Sequence, residues 1–347
     1  MAIGNNYEYL IADFSYIVSR NVFAASKGKK VGEYTAGDII RITIQTMNKL
    51  ARDYDIRASK IIFLADKWDK GLDGEGYIRH WMLKDYVPYK GSRTWMTEKT
   101  IAEMKNDPNV TKEELEKAEL ELYQNQTKFK AKQAMMDDFK YLGMPVFSVP
   151  GYEADDLAWI SSCLLYGKTG GKKSVFVTKD SDWQYFLNPE LDFFKIPTNG
   201  SQPEFITYDQ KLEEIPQALK DRGIGLYLYN AYKNSLGISH NDNLKTMKDG
   251  ITDYDQVILH ILDGDYSDLA DIPAFKAQMR SFDVQNFPRF DEAQSLVTDQ
   301  FATSGTLGNL ATFHNFCDKY GVTQISDKYY SDFIGRFDQE LFKEKLL

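Results

Sequence analysis

The sequence predicts an α/β protein built on a parallel sheet and continued by a helix-rich part. Short, almost wholly apolar runs recur at Tyr9–Ala12, Ile61–Ala65 and Val175–Thr178, the composition of strands buried on both faces. Helix-compatible segments lie between these runs, and strand–helix–strand order implies parallel pairing. Beyond about Gly223 the pattern turns helical, with Gly and Asn breaks.

The first strand is Tyr9-Leu-Ile-Ala12. A helix is expected from about Ala36 to Tyr54, where Ile39, Ile40, Ile42, Ile44, Met47 and Leu50 supply an apolar stripe. The second strand, Ile61–Ala65, closes that unit. Thr97 to Leu142 is rich in Glu, Lys, Gln and Met, and Thr111-Lys-Glu-Glu114 has the form of a capping box opening a long polar helix. This segment reads as a helical excursion from the sheet, with Lys128, Lys130 and Lys132 on its solvated face. Val146–Val149 and Val175–Thr178 are the third and fourth strands, separated by the helix Leu157–Leu165. Gly167–Lys173 is a basic loop that lacks the spacing of a phosphate-binding P-loop. The boundary of the helix-rich part is expected near residue 200, giving a core of 1–200 and a second region of 201–347.

Composition narrows the function classes. Of 347 residues 43% are hydrophobic and 27% charged, which fits a globular chain and not a disordered one. Two cysteines without Cys-x-x-Cys spacing exclude a disulfide framework and a structural zinc site, and suit a reducing compartment. No basic-then-apolar leader and no run of apolar residues long enough for a membrane span is present, so a cytoplasmic protein is expected, in the host cell if it is viral. The net charge of −9, from 42 basic and 51 acidic side chains, lowers the expectation of a nucleic-acid partner unless the acids crowd one metal site.

The acids do cluster by position. Asp13, Asp66 and Asp180 each follow a strand candidate, and the C-terminal ends of parallel strands share one rim, where open α/β folds bind ligands. Asp182 stands two residues on. Glu153-Ala-Asp-Asp156 opens a helix after a further strand, bringing seven carboxylates toward the rim. Singly, each is an ordinary turn former or helix-start acid. Together they repel and call for a cation. Oxygen ligands without His or Cys select Mg²⁺, with Mn²⁺ as its substitute, and ions so held typically act on phosphate esters.

Downstream of Asp66, Gly76 to Arg93 alternates cations with aromatics, the mixture that holds phosphates and stacks on bases. A solvated basic helix face would have the same pattern.

In this combination the chain resembles the 5′-nuclease family of flap endonucleases, polymerase-associated 5′-to-3′ exonuclease domains and bacteriophage ribonuclease H, the stand-alone bacteriophage type above all. Leu10-Ile-Ala-Asp-Phe14, Phe63-Leu-Ala-Asp66, Arg79-His80, Tyr89-Lys-Gly-Ser-Arg93, Gly151-Tyr-Glu-Ala-Asp-Asp156 and Thr178-Lys-Asp-Ser-Asp182 carry the resemblance, in family order across roughly the first 190 residues. It implies a PIN-like domain, a helical arch over about 80–142, and a C-terminal region with a helix-three-turn-helix. Asp13, Asp66, Glu153, Asp155 and Asp156 would build a first metal site, with Asp180 and Asp182 at a second. Arg79 and His80 would contact substrate, Lys90 and Arg93 would hold the scissile phosphate as catalytic cations, and Tyr89 would stack on a base. Gly237-Ile-Ser-His-Asn-Asp-Asn243 departs from the family pattern: Asp242 is recovered as a metal ligand, but Ser239 falls where an earlier aspartate belongs. The implied activity is Mg²⁺-dependent hydrolysis of phosphodiesters at 5′ ends and single-strand/duplex junctions, including RNA primer removal in DNA replication. Partners would be DNA and RNA–DNA substrates, and replication proteins such as a single-strand-binding protein or clamp.

Two other classes stay open at this point. Asp180-Ser-Asp182 resembles the nucleophile pair of haloacid-dehalogenase-type phosphatases, although that fold places its pair after the first strand, where this chain has Asp13-Phe-Ser15. A PIN-like module that binds nucleic acid without catalysis would keep the acids for structure alone.

Overall fold

The computed structural model describes residues 5–72, 75–86, 96–168, 170–197, 201–237, 246–303 and 310–322. The fold is mixed α/β with mainly parallel strand pairing and many helices. The chain forms two compact units that interleave in sequence. Met1–Ala65, Arg93–Phe147 and Gln300–Leu347 make the first, and Asp66–Ser92 with Ser148–Asp299 the second. Among the described residues no helix is long and apolar enough to cross a membrane.

In the first unit β1 (Asn5–Asp13), β2 (Ile56–Leu64) and the short β3 (Val146–Phe147) are parallel in the order β3-β2-β1, with Leu10 opposite Ile61 and Asp13 opposite Leu64. The second strand begins earlier than its apolar run, because Ile56 and Ala58 are buried while Arg57 is exposed. That alternation marks a strand with one face in water before both faces are covered. Helices α1 (Phe14–Ser26) and α2 (Ala36–Asp53) follow β1. Thr35 and Asp38 form the capping box of α2, and Ile39, Ile40, Ile44, Met47 and Leu50 are buried as the stripe predicts, each contributing roughly 1.5–3 kcal/mol. Ile42 lies at the edge of the stripe, half-buried. Buried Asn21 of α1 is satisfied from α2, donating to Thr43 Oγ1 at 3.0 Å and accepting from Thr46 at 3.1 Å.

The polar segment folds as α4 (Glu98–Asn106) and α5 (Lys112–Asp138), after a short α3 (Ile78–Leu83) in the second unit, and the expected capping box of Thr111 and Glu114 is formed. Lys132 is not on a solvated face. Its ammonium donates to Ser15 Oγ at 3.0 Å and lies 5.6 Å from the centre of the Phe14 ring.

An aromatic chain, Phe14–Phe63–Phe139–Phe316, fills the centre of this unit. Gly37 of α2 is required by close approach. A Cβ there would lie 2.3 Å from the backbone oxygen of Tyr320, at the end of a helix running from Leu310. In an open helix Gly→Ala is stabilising by about 1 kcal/mol. Here Gly37→Ala is expected to lower stability by about 1–3 kcal/mol, since backbone must shift. Chemical unfolding of the two proteins measures the difference, and a stabilised variant would remove the contact.

In the second unit β4 (Ser174–Val177) and β5 (Leu191–Lys195) are parallel, and β6 (Glu204–Ile206) joins β5 antiparallel. Neither β5 nor β6 stands out in the sequence, for β5 carries Asp192 and Lys195. Asp192 is buried and held by the Lys173 ammonium at 2.9 Å. Between β3 and β4 runs α6 (Ala154–Leu165), and beyond β6 the chain is helical, from α7 (Tyr208–Glu213) and α8 (Gln217–Lys220) through α9 (Leu226–Ser235), α10 (Tyr254–Leu262) and α11 (Ile272–Ser281). Helices α12 (Phe290–Thr303) and α13 (Leu310–Tyr320) complete the order.

Candidate acidic site

The second unit gathers its acids around the N-terminus of α6. The segment after Asp66 is tied to the segment before α6 by main-chain bonds, from Gly151 N to Lys67 O at 2.8 Å and from Ile78 N to Gly151 O at 2.9 Å. That pairing sets Asp66 against the helix, where its Oδ1 accepts from Ala154 N at 2.8 Å. A carboxylate there satisfies a free helix N–H and meets the positive end of the dipole.

Asp155 and Asp156 are neighbours on α6 and so face about 100° apart. Asp156 is fully buried. Its Oδ1 receives Arg79 of α3 through Nε at 2.8 Å and Nη2 at 2.7 Å, and its Oδ2 receives the Glu153 N–H at 3.0 Å. Arg79 is 8% exposed, and its guanidinium lies 5.0 Å from the Phe282 ring. Asp155 faces a different donor, the indole N–H of Trp183 at 2.7 Å. Past β4, the Thr178 hydroxyl accepts from Asp180 N at 3.0 Å, and Asp180 accepts from Asp182 N at 2.9 Å, capping a 3₁₀ turn over Ser181–Phe186.

The electrostatics are those of crowded acids. Burial pushes the Asp155 carboxyl well above the usual carboxylate range, and the charges of Asp180 and Glu153 push it further, against Arg79 and the Trp183 hydrogen bond. Burial and Asp180 bring Asp182 up to about 6, opposed by Arg79, Lys211 and Lys233. Burial raises Asp156 too, with Arg79 pulling it back.

No family model matches the chain, and no curated protein matches it. Solved structures do. A bacteriophage T5 protein co-crystallised with metal ions is 17% identical, covering 91% of this chain and 98% of that one at a TM-score of 0.47. A bacteriophage T5 flap endonuclease in a pseudo-enzyme–product complex with DNA and metal ions is 16% identical, covering 98% and 96% at 0.45. The catalytic core of Rad2 in complex with DNA substrate is 12% identical, covering 99% and 91% at 0.37.

Asp66, Glu153, Asp155, Asp156, Asp180 and Asp182 all belong to the second unit. Asp13 belongs to the first, where it caps α1 by accepting from Tyr16 N at 2.9 Å. Arg79 is buried on Asp156, and His80 packs its ring 5.2 Å from that of Tyr77. Tyr89, Lys90, Arg93 and Asp242 lie outside the described residues, as does Ser239. Sequence reasoning missed Trp183 as the partner of Asp155 and Arg79 as the partner of Asp156. A signal for the first exists: a Trp is usually largely buried, and its N–H then needs an acceptor.

Among the described residues no group of three His, Cys, Asp or Glu converges as a ready-made metal-binding set. Asp66, Asp155, Asp156 and Asp180 are each turned to a hydrogen-bond donor of their own. The chemistry of the set nonetheless suits a hard divalent cation, because every acid supplies oxygen, and Asp155, raised first by burial and then by the charges of Asp180 and Glu153, sits among like charges that a cation would offset.

The raised Asp182 has a consequence for the metal-free chain. Its folded pKa exceeds the unfolded value of about 3.9, so the folded chain holds this proton more tightly. The associated stability is complete below the unfolded pKa and is lost as pH rises through about 6. With chelator present, Asp182→Asn is expected to stabilise by about 2 kcal/mol at pH 7.5 and hardly at all near pH 4. Urea unfolding at both pH values checks it, and a gain confined to low pH would contradict it.

Proposed function

We propose that the chain is a Mg²⁺-dependent 5′ nuclease that hydrolyses phosphodiesters at 5′ ends and at single-strand/duplex junctions, including RNA primers. The observation that carries this reading is the gathering of Asp66, Glu153, Asp155, Asp156, Asp180 and Asp182 in one unit, with Asp155 raised by burial and by the charges of Asp180 and Glu153, a crowding that asks for a divalent cation. The ordered motifs of the sequence supply the substrate class. By the resemblance, Asp13, Asp66, Glu153, Asp155 and Asp156 would hold a first cation and Asp180 and Asp182, with Asp242, a second, while Arg79 anchors Asp156. A bound cation would lower the pKa of a water and offset charge on the phosphoryl oxygens. Asp156 holds the Glu153 N–H, and hence the first turn of α6, in place. Partial burial of Asp155 and Asp182 weakens the screening of their charges by water. Lys90 and Arg93 would neutralise the phosphate as charge develops.

The test is incubation with end-labelled 5′-flap, nicked and RNA-primed duplexes, with Mg²⁺, Mn²⁺ or chelator. Release of short 5′ products in the presence of either metal, and none with chelator, is the expected outcome. Intact substrates under all conditions would refute the proposal.

A further inference from the structure

We propose that Trp183 is a positioning residue whose indole N–H holds the Asp155 carboxylate in place for a divalent cation. The proposal deepens the nuclease reading above and rests on it.

Trp183 is fully buried and meets Phe176 of β4 edge-on, with ring centres 5.0 Å apart. It sits in the 3₁₀ turn that Asp180 caps, so core packing and not side-chain choice sets the direction of its N–H. That N–H reaches Asp155 Oδ1 at 2.7 Å. An indole nitrogen only donates. It restrains a carboxylate without neutralising it, does so at every pH, and cannot compete as a ligand.

Asp156, one residue on, shows the contrast, for its partner is the Arg79 cation and its charge is largely spent there. Asp155 meets a neutral donor instead, so when ionised its charge is not spent on a protein cation, and Oδ2 with one lone pair of Oδ1 lies beyond the indole bond. A cation binding there meets an acid already oriented, so less ordering is lost on binding. Groups that hold metal ligands from behind are typically worth roughly 10–100-fold in metal affinity.

Trp183→Phe keeps a ring against Phe176 and removes the donor. Calorimetric titration with Mg²⁺ or Mn²⁺ alone is expected to show about tenfold weaker binding or worse. A tryptophan that only fills the core would lower the melting temperature and leave cation affinity unmoved. In the parent labelled with ¹⁵N-tryptophan, the indole signal missing from the variant is expected to shift on Mg²⁺ addition, with the calorimetric Kd. Equal affinities in parent and variant would overturn the proposal. If the variant does not fold, the parent still decides, because no movement among the signals of its five tryptophans at saturating Mg²⁺ overturns it as well. Failure of the parent to bind either cation would bring down the nuclease reading and this proposal together. Cation binding and cleavage that Trp183→Phe leaves untouched would bring down this proposal alone.

Discussion

Replacing Asp155 with Asn is expected to lower single-turnover cleavage of a 5′ flap by roughly a thousandfold, the upper end for loss of one group acting on developing charge. Binding of the junction in Ca²⁺ should change only a few fold, since the substitution removes no phosphate contact. Fold stability should hold or improve. Asp155 is pushed toward its neutral form by burial, Asp180 and Glu153, and a neutral amide relieves that repulsion while still accepting from Trp183. This combination separates a cation ligand from a structural acid, whose loss would weaken the fold and leave chemistry alone. Paired measurements of cleavage rate and urea stability decide it. Parental turnover by the variant would sink the assignment of Asp155.

The second large effect is on stability. Arg79→Ala is expected to cost about 3–5 kcal/mol, because it leaves Asp156 as an uncompensated charge in a dry setting. Asp156→Ala should cost a similar amount by stranding the guanidinium. The double change to apolar residues of similar volume, Arg79→Met with Asp156→Leu, should recover most of the loss, since a buried ion pair recoups its desolvation only in part. A loss below about 1 kcal/mol for Arg79→Ala would mean that water reaches the pair. The same residue can matter for activity without touching substrate. It fixes Asp156, Asp156 fixes the Glu153 N–H, and the first turn of α6 carries Asp155.

Read as a sequence, the chain announces its strands and helices wherever burial is uniform or periodic. Ile61–Leu64 and Val175–Val177 are buried throughout, and the stripe of α2 and the capping box at Thr111 are local patterns that need no distant partner. The position of acids after strands and at the start of α6 is also local, and so was available from spacing.

What tertiary structure decided is which donor each acid meets. Arg79 and Asp156 stand 77 residues apart, as Asp66 and Ala154 stand 88 apart, and no periodicity encodes such meetings. Lys132 went unread for the same reason, since a lysine on a polar helix gives no hint that Ser15 and Phe14 await it. The strand β5 was hidden because Asp192 looks like a loop residue until Lys173 compensates it. The interleaving of the two units is likewise a matter of contacts between distant segments. Composition and period record what a residue demands of its own surroundings, a buried face or a cap. They do not record which far segment meets the demand, because a charge or an N–H can be satisfied by any partner of the right chemistry, and only the packed chain chooses one.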